Sequence, residues 1–219
     1  MKTPSPVIDI SLPLSPQTPA VPGDPPFTRR LVLSQAADGC EVAALNLSAH
    51  SAAHIDFPAH FLAGGKRAGD YPAAAFFLAA VVIDCGEAMR LGPDVLSGTA
   101  LAAGDAVLFK TSNSRTRRFA GPDFPADFAA LAPQLARELA ARDLRLVGID
   151  AMSIEPLDDP AYPVHHLLLA ADILILEGLD LAQVRPGRYR LVCLPLAVAD
   201  AEASPVRAVL LDDAGAQTS

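Results

Sequence analysis

Three of the chain's five histidines, His50, His54 and His60, stand with Asp56 inside one eleven-residue stretch, His50-Ser51-Ala52-Ala53-His54-Ile55-Asp56-Phe57-Pro58-Ala59-His60. Neutral imidazole nitrogen and carboxylate oxygen are the donors that Zn²⁺ and similar divalent ions take. A hydrophilic surface loop would fit hydrophilic flanks, but here the flanks are Leu45, Leu47, Ile55, Phe57 and Phe61. Burying such a cluster without a partner would be costly, which favours a metal site. In a straight strand His50 and His54 would lie roughly 13 Å apart, at about 3.3 Å per residue. One ion cannot bridge that distance, so the chain must turn tightly through Ser51-Ala52-Ala53 or complete a helical turn there. From His54 onward, spacing by twos places His54, Asp56 and His60 on one side of an extended run. The helical zincin pattern is excluded, because serine stands at position 51 where its glutamate would be.

A second set of donors lies downstream. The strand pattern Ile173-Leu174-Ile175-Leu176-Glu177 points the Glu177 carboxylate the way two isoleucines point, so an ionised group there needs a partner. His165 and His166 precede it. Adjacent residues in an extended segment leave on opposite faces, so only one of the pair can face the first cluster. His50, His54 and Asp56 would give one ion three protein ligands and an open position, as in catalytic sites. Asp56 could bridge to a second ion completed by Glu177 and one of His165 or His166. His60 would then serve as a proton carrier or as a further ligand.

The elements that hold these residues read as α/β. Strands are expected at Val7 to Leu12, Arg30 to Ser34, Glu41 to Ser48, Ala80 to Ile83, Ala106 to Phe109, Leu144 to Ile149 and Ile173 to Glu177, with a helix from Pro133 to about Arg142. The 219 residues carry 51% hydrophobic side chains and no Gly/Ser linker, charge block or repeat, so 1–219 reads as a single domain. A net charge of -8 excludes a basic nucleic-acid-binding face. The basic stretch Lys110 to Arg118 reads as a solvated loop. No apolar run is long enough to span a bilayer, Ala73 to Ile83 being the longest, and Met1 to Pro6 leads into a strand without the apolar core of a secretory signal. Cys40, Cys85 and Cys193 are odd in number and widely spaced, as expected of reduced core cysteines in a cytoplasmic protein.

The segment His50 to His60 resembles the HxGTHxDxPxH motif of the metal-dependent cyclase family, which includes bacterial kynurenine formamidases (arylformamidases) and isatin hydrolases. The resemblance covers almost the whole chain. Ile8-Asp9-Ile10-Ser11 with Pro22-Gly23-Asp24 is similar to the family's opening, Val147-Gly148-Ile149-Asp150 to its central strand, and Leu194-Pro195-Leu196 with Ser204-Pro205-Val206-Arg207 to its closing strands. His165, twelve residues before Glu177, matches the family's second His/Glu pair; His166 is one step out of register.

The resemblance implies a compact swivelling β/β/α fold with a small barrel-like mixed sheet, assembled as a homodimer. It implies one or two divalent ions per chain, with Zn²⁺ expected and Mn²⁺ an alternative. His50, His54 and Asp56 would hold the first, Asp56, His165 and Glu177 the second, and His60 would shuttle protons. The implied activity is hydrolysis of a small amide, a formamide or a cyclic amide, with metal-assisted cyclisation or dehydration, or metal binding without catalysis, as alternatives. Two departures stand out: Ala52-Ala53 replaces Gly-Thr, and Val21 replaces the tryptophan that precedes Pro-Gly-Asp in formamidases, in a chain without any tryptophan. Val21 is therefore expected to be a weaker substrate platform than an aromatic residue, and Ala52 to carry strain if its φ is positive.

Overall fold

The computed structural model describes residues 7–212; the expectation for Met1 to Pro6 lies outside them. Its frame is a curled nine-stranded mixed sheet. In chain order the strands are β1 (Val7–Asp9), β2 (Thr28–Leu33), β3 (Val42–Asn46), β4 (His54–Asp56), β5 (Phe77–Asp84), β6 (Arg90–Leu91), β7 (Ala106–Lys110), β8 (Ala130–Leu131), β9 (Leu146–Ile149), β10 (Leu174–Glu177), β11 (Gly187–Val192), β12 (Ala203–Pro205) and β13 (Val209–Asp212). The helices are α1 (Gln35–Asp38), α2 (Ser112–Arg115), α3 (Pro133–Ala140) and α4 (Pro163–Ala170). Across the large sheet the order is β1-β13-β11-β5-β7-β9-β10-β4-β12. β5, β7, β9 and β10 run parallel, while β4 and β12 close one side antiparallel.

Both faces of the sheet are covered, and the strands alternate between two cores. On β7, Val107 and Phe109 join one core and Ala106 and Leu108 the other. The same alternation sends Ile175 of β10 to the first core and Leu174 and Leu176 to the second. The first core is closed by α3 and α4, which contribute Leu135, Leu139, Val164 and Leu168. Pro stands at the first position of both helices, where its missing N–H costs nothing. Ile175 and Glu177 share a side, so Glu177 emerges at the end of β10 on the face that α4 covers.

Three expectations are corrected. The Lys110 to Arg118 stretch is not a solvated loop: Lys110 is buried on β7 with Nζ donating to Ala182 O and Val184 O at 3.2 and 2.7 Å. Ser112–Arg115 form α2, capped by Thr111, and its start is held by Asp150, accepting from Thr111 N, Thr111 Oγ and Ser114 N at 2.9, 2.6 and 3.2 Å. Cysteine placement also differs, since Cys40 is exposed while Cys193 is buried and Cys85 lies between them. Burial pushes the Cys85 and Cys193 thiols up to about 12, so neither is an activated nucleophile. The third correction concerns His60: the extended run ends at Asp56, and Pro58–His60 is a turn of 3-10 helix. Pro58 starts that turn well because its φ is already fixed.

Candidate metal centre

The chain turns where the spacing of His50 and His54 requires it. Ser51 N bonds to Ser48 O at 3.2 Å, and Ala52 takes a φ of 54°. For an alanine that conformation costs about 1–2 kcal/mol. The Ala52 carbonyl packs against Gly178, at φ 67°, so closely that a Cβ added at Gly178 would sit 2.0 Å from Ala52 O. The same carbonyl, 2.9 Å from His54 Nδ1, accepts that ring's hydrogen and turns Nε2 inward. The rings of His50 and His54 end 5.2 Å apart, edge to face.

From His54 the chain enters β4, paired on both sides. Its register against β10 sets His54 opposite Glu177 and Asp56 opposite Ile175, so the cross-strand geometry brings the two donor sets together. His54 Nε2 lies 3.1 Å from Glu177 Oε2 and 3.5 Å from Asp56 Oδ1. His50 Nδ1 is 2.9 Å from Asp56 Oδ1. From α4, His165 Nε2 points at Asp56 Oδ2 (3.7 Å) and Glu177 Oε1 (3.5 Å). His166, next to it on the helix, is exposed. The structure turns His165 toward the cluster and leaves His166 exposed, by a geometry other than the strand alternation expected. The two residues sit on a helix, where neighbours diverge by about 100°, and not on an extended segment.

His60 lies in the turn after Phe57, with its ring 4.2 Å from that of His50 and 5.9 Å from that of His165. Among the described residues, two trios have ligand atoms within 4.8 Å of one another: His50, Asp56 and His60, and His54, Asp56 and Glu177. The first ligand set implied by the resemblance, His50, His54 and Asp56, is therefore spread over both trios, with Asp56 common to them.

The fit of this centre to a cation can be tested on its own atoms. His54 Nε2 and both Asp56 oxygens are fully buried and make no hydrogen bond, although donors and acceptors of suitable type stand close by. Buried polar atoms are rarely left so, and converging nitrogen and carboxylate donors of this kind suit a metal ion. Protonation responds to the same crowding. Burial disfavours the charged form of His54, yet the adjacent Glu177 and Asp56 carboxylates outweigh it and push the imidazole up to about 9. For His165, burial is likewise overcome, by Glu155 and Glu177, to about 10. Burial would raise Asp56, but His50 and His54 hold it well below the usual carboxylate range. His60 moves the other way, lowered by burial and by the His50 and His165 charges against the pull of Asp56.

A cavity of about 310 Å³ opens onto these residues, lined by Val21, Phe61, Met152, Leu157 and Tyr162 as well as by His50, His54, His60, His165 and Glu177. Val21 is thus on the wall where the resemblance puts it. Two aromatic rings that spacing did not single out share that wall: Phe61 packs 4.7 Å from His165 and 5.3 Å from Tyr162. Two carboxylates at the centre were also missed. Glu155 accepts from His165 Nδ1 at 2.6 Å, and Glu202 Oε1 is 3.8 Å from His50 Nε2. The signal for Glu155 was slight, a single carboxylate after Ser153 in a loop; Glu202 follows Asp200 in a segment that reads as an ordinary polar turn.

Comparison with known proteins agrees with this geometry. A model of the Cyclase family matches residues 8–156. The chain is 39% identical to the kynurenine formamidase of Bordetella avium over 207 residues, covering 92% of this chain and 96% of that one. With the kynurenine formamidase of Salinibacter ruber it shares 37% over 211 residues, 94% and 97% of the two chains. In structure it is similar to a predicted metal-dependent hydrolase from Bacillus stearothermophilus, with a TM-score of 0.81, 29% identity, and coverage of 96% and 100%. Isatin hydrolase A from Labrenzia aggregata has the same fold, with a TM-score of 0.82 at 23% identity over 94% and 93% of the two chains. On the matched family model and the extent of these likenesses, the chain belongs to the Cyclase family.

Proposed function

We propose that the chain is a metal-dependent hydrolase of a small amide, of the arylformamidase type, converting N-formylkynurenine to kynurenine and formate. The observation that carries this reading is the convergence of His54, Asp56 and Glu177, with His54 Nε2 and both Asp56 oxygens buried and unbonded, beside a cavity lined by His54, Glu177 and the rings of Phe61 and Tyr162. The kynurenine formamidases at 39% and 37% identity support the substrate class. His50, His54 and Asp56 would hold a first ion and Asp56, His165 and Glu177 a second, with Zn²⁺ suited to this mixed nitrogen and oxygen set. When bound, such a pair polarises a carbonyl and makes water nucleophilic near neutral pH.

The chain's own residues account for the remaining chemistry. His60 is kept neutral near pH 7 by its burial, so its imidazole can take the proton that attacking water gives up and pass it to the leaving amine. The carbonyl carbon gains an oxygen, the C–N bond breaks, and the amine leaves with that proton. Phe61 and Tyr162 face the cavity with π-surface against which an aryl ring can pack, a role shared with the smaller Val21. Cyclic amides are the second substrate class to test.

The chain is read as one domain spanning 1–219, since strands from both ends pair in one sheet, β1 against β13. A homodimer is supported by the β2–β3 ribbon, which carries Leu31, Val32, Val42 and Leu45 exposed. No helix among the described residues is long and apolar enough to cross a membrane, and a cytoplasmic small-molecule enzyme is the reading adopted. The test is hydrolysis of N-formylkynurenine by the Zn²⁺-loaded protein beside its His60→Ala variant, with metal content measured in both. Wild-type protein that binds zinc yet neither releases formate from N-formylkynurenine nor opens the cyclic amide of isatin would overturn the assignment.

A further inference from the structure

We infer that Glu155 is a positioning residue for the metal centre: it fixes the tautomer and direction of His165 so that Nε2 presents a lone pair toward Asp56 and Glu177. Glu155 is buried and belongs to neither donor set. Its Oε1 lies 2.6 Å from His165 Nδ1 and also accepts from His165 N at 2.9 Å, while Oε2 accepts from Val164 N at 2.9 Å. Both Glu155 oxygens already accept backbone N–H groups, so in the His165–Glu155 contact the hydrogen lies on Nδ1. That leaves Nε2 aimed at two carboxylate oxygens, at 3.5 and 3.7 Å. Two anions so placed favour a positive charge beside Nε2, which a bound cation supplies once it displaces any proton there.

The same loop reaches the other carboxylate of the centre. Ile154 N donates to Glu177 Oε1 at 2.6 Å, and Ser153 Oγ caps the turn by donating to Glu155 O at 2.7 Å. Three consecutive residues thus hold one oxygen of Glu177 and one ring of α4 in register. His54 uses the neutral Ala52 carbonyl for the corresponding task. A carboxylate in that place makes the imidazole a stronger donor, and outer contacts of this kind typically contribute about 10- to 100-fold to metal affinity.

This inference rests on the proposed metal centre, and the experiment separates the two. Zn²⁺ affinity is measured by competition with a chromophoric chelator for wild type, Glu155→Gln and Glu155→Asp, beside thermal unfolding of the metal-free proteins. Glu155→Gln is expected to lose about 10- to 100-fold in affinity for at least one ion, with Glu155→Asp recovering part of it. If Glu155 merely caps α4, the unfolding midpoint drops while affinity stays within about twofold of wild type, and the inference fails alone. Wild type that binds no zinc would sink the centre itself. Should Glu155→Gln not fold, ¹⁵N NMR of the zinc-loaded wild type decides: His165 protonated at Nδ1 and not at Nε2 is expected, and the opposite tautomer overturns the assignment.

Discussion

The loop half of the candidate centre draws His50, His54, Asp56 and His60 from one eleven-residue stretch, whereas the other half gathers Glu155, His165 and Glu177 from a loop, a helix and a strand. In the first, a turn through a left-handed Ala52 sets the spacing locally, and pairing of β4 with β10 and β12 then holds it. In the second, each side chain depends on long-range packing: α4 on the core, β10 on its two neighbours, and Glu155 on the start of α4, whose Val164 and His165 N–H groups it accepts from. The halves meet through one register, His54 opposite Glu177. A centre built this way should lose most when the shared or central ligands are cut and progressively less toward its rim.

The sharpest break is His54→Ala. It removes the ring that faces both carboxylates, and the variant should fold but retain no metal and show no turnover. Elemental analysis showing full occupancy in that folded variant would refute the loop half as a metal site. Next in size, His60→Ala should keep its metal while kcat falls about 10²–10⁴-fold, the usual worth of a positioned acid–base group. Loss of metal instead would make His60 a ligand, as its trio with His50 and Asp56 would permit.

His165→Ala tests the other half. It should cost one ion or part of the activity, leaving the loop half occupied, whereas His166→Ala should be mild because that ring is exposed. A reversed pattern would mean that the helix is rotated from its observed setting.

Acidity distinguishes the halves less strongly but with a definite sign. Without metal, His54 and His165 are raised from 6.5 to about 9 and about 10. Their charged forms therefore stabilise the metal-free fold fully below the unfolded value and progressively less as pH rises through the folded values. The unfolding midpoint of the metal-free protein should fall between pH 6.5 and about 9 to 10, and zinc affinity should rise over the same range as the two protons are displaced. A flat profile measured by thermal unfolding in chelator would contradict both shifts. The smallest effect is expected at the rim: Val21→Trp should raise kcat/KM for N-formylkynurenine by no more than about tenfold. Phe61 and Tyr162 already supply aromatic surface, so the gain should be nearer the lower end.

What could be read in the sequence follows the same division. The loop half was legible because its donors are contiguous and their spacing demands a turn, which the structure contains at Ser51 to Ala53. Glu177 was legible from strand alternation, and His165 from its distance to Glu177. Glu155 was not, because a lone glutamate in a loop has no periodicity and its partner is reached only through the packing of α4. The extended reading of His54 to His60 gave too little weight to Pro58, which starts a 3-10 turn as readily as it ends a helix. Thr111 to Ser114 was misjudged because turn-forming residues also cap helices, and the buried Asp150 that stabilises α2 lies 39 residues away from Thr111.

The backbone contact between Gly178 and Ala52 bears on how the protein could be re-engineered. A side chain at 178 would press on a carbonyl carbon and oxygen, groups that no change of rotamer can move aside, and the strand that ends there carries Glu177. A saturation library at that codon should collapse to glycine under selection for activity. Libraries at 21, 61 and 162 should instead tolerate many residues and trade one substrate for another. Diversification aimed at new amides therefore belongs on the cavity wall, with the seam beneath the metal ligands left untouched.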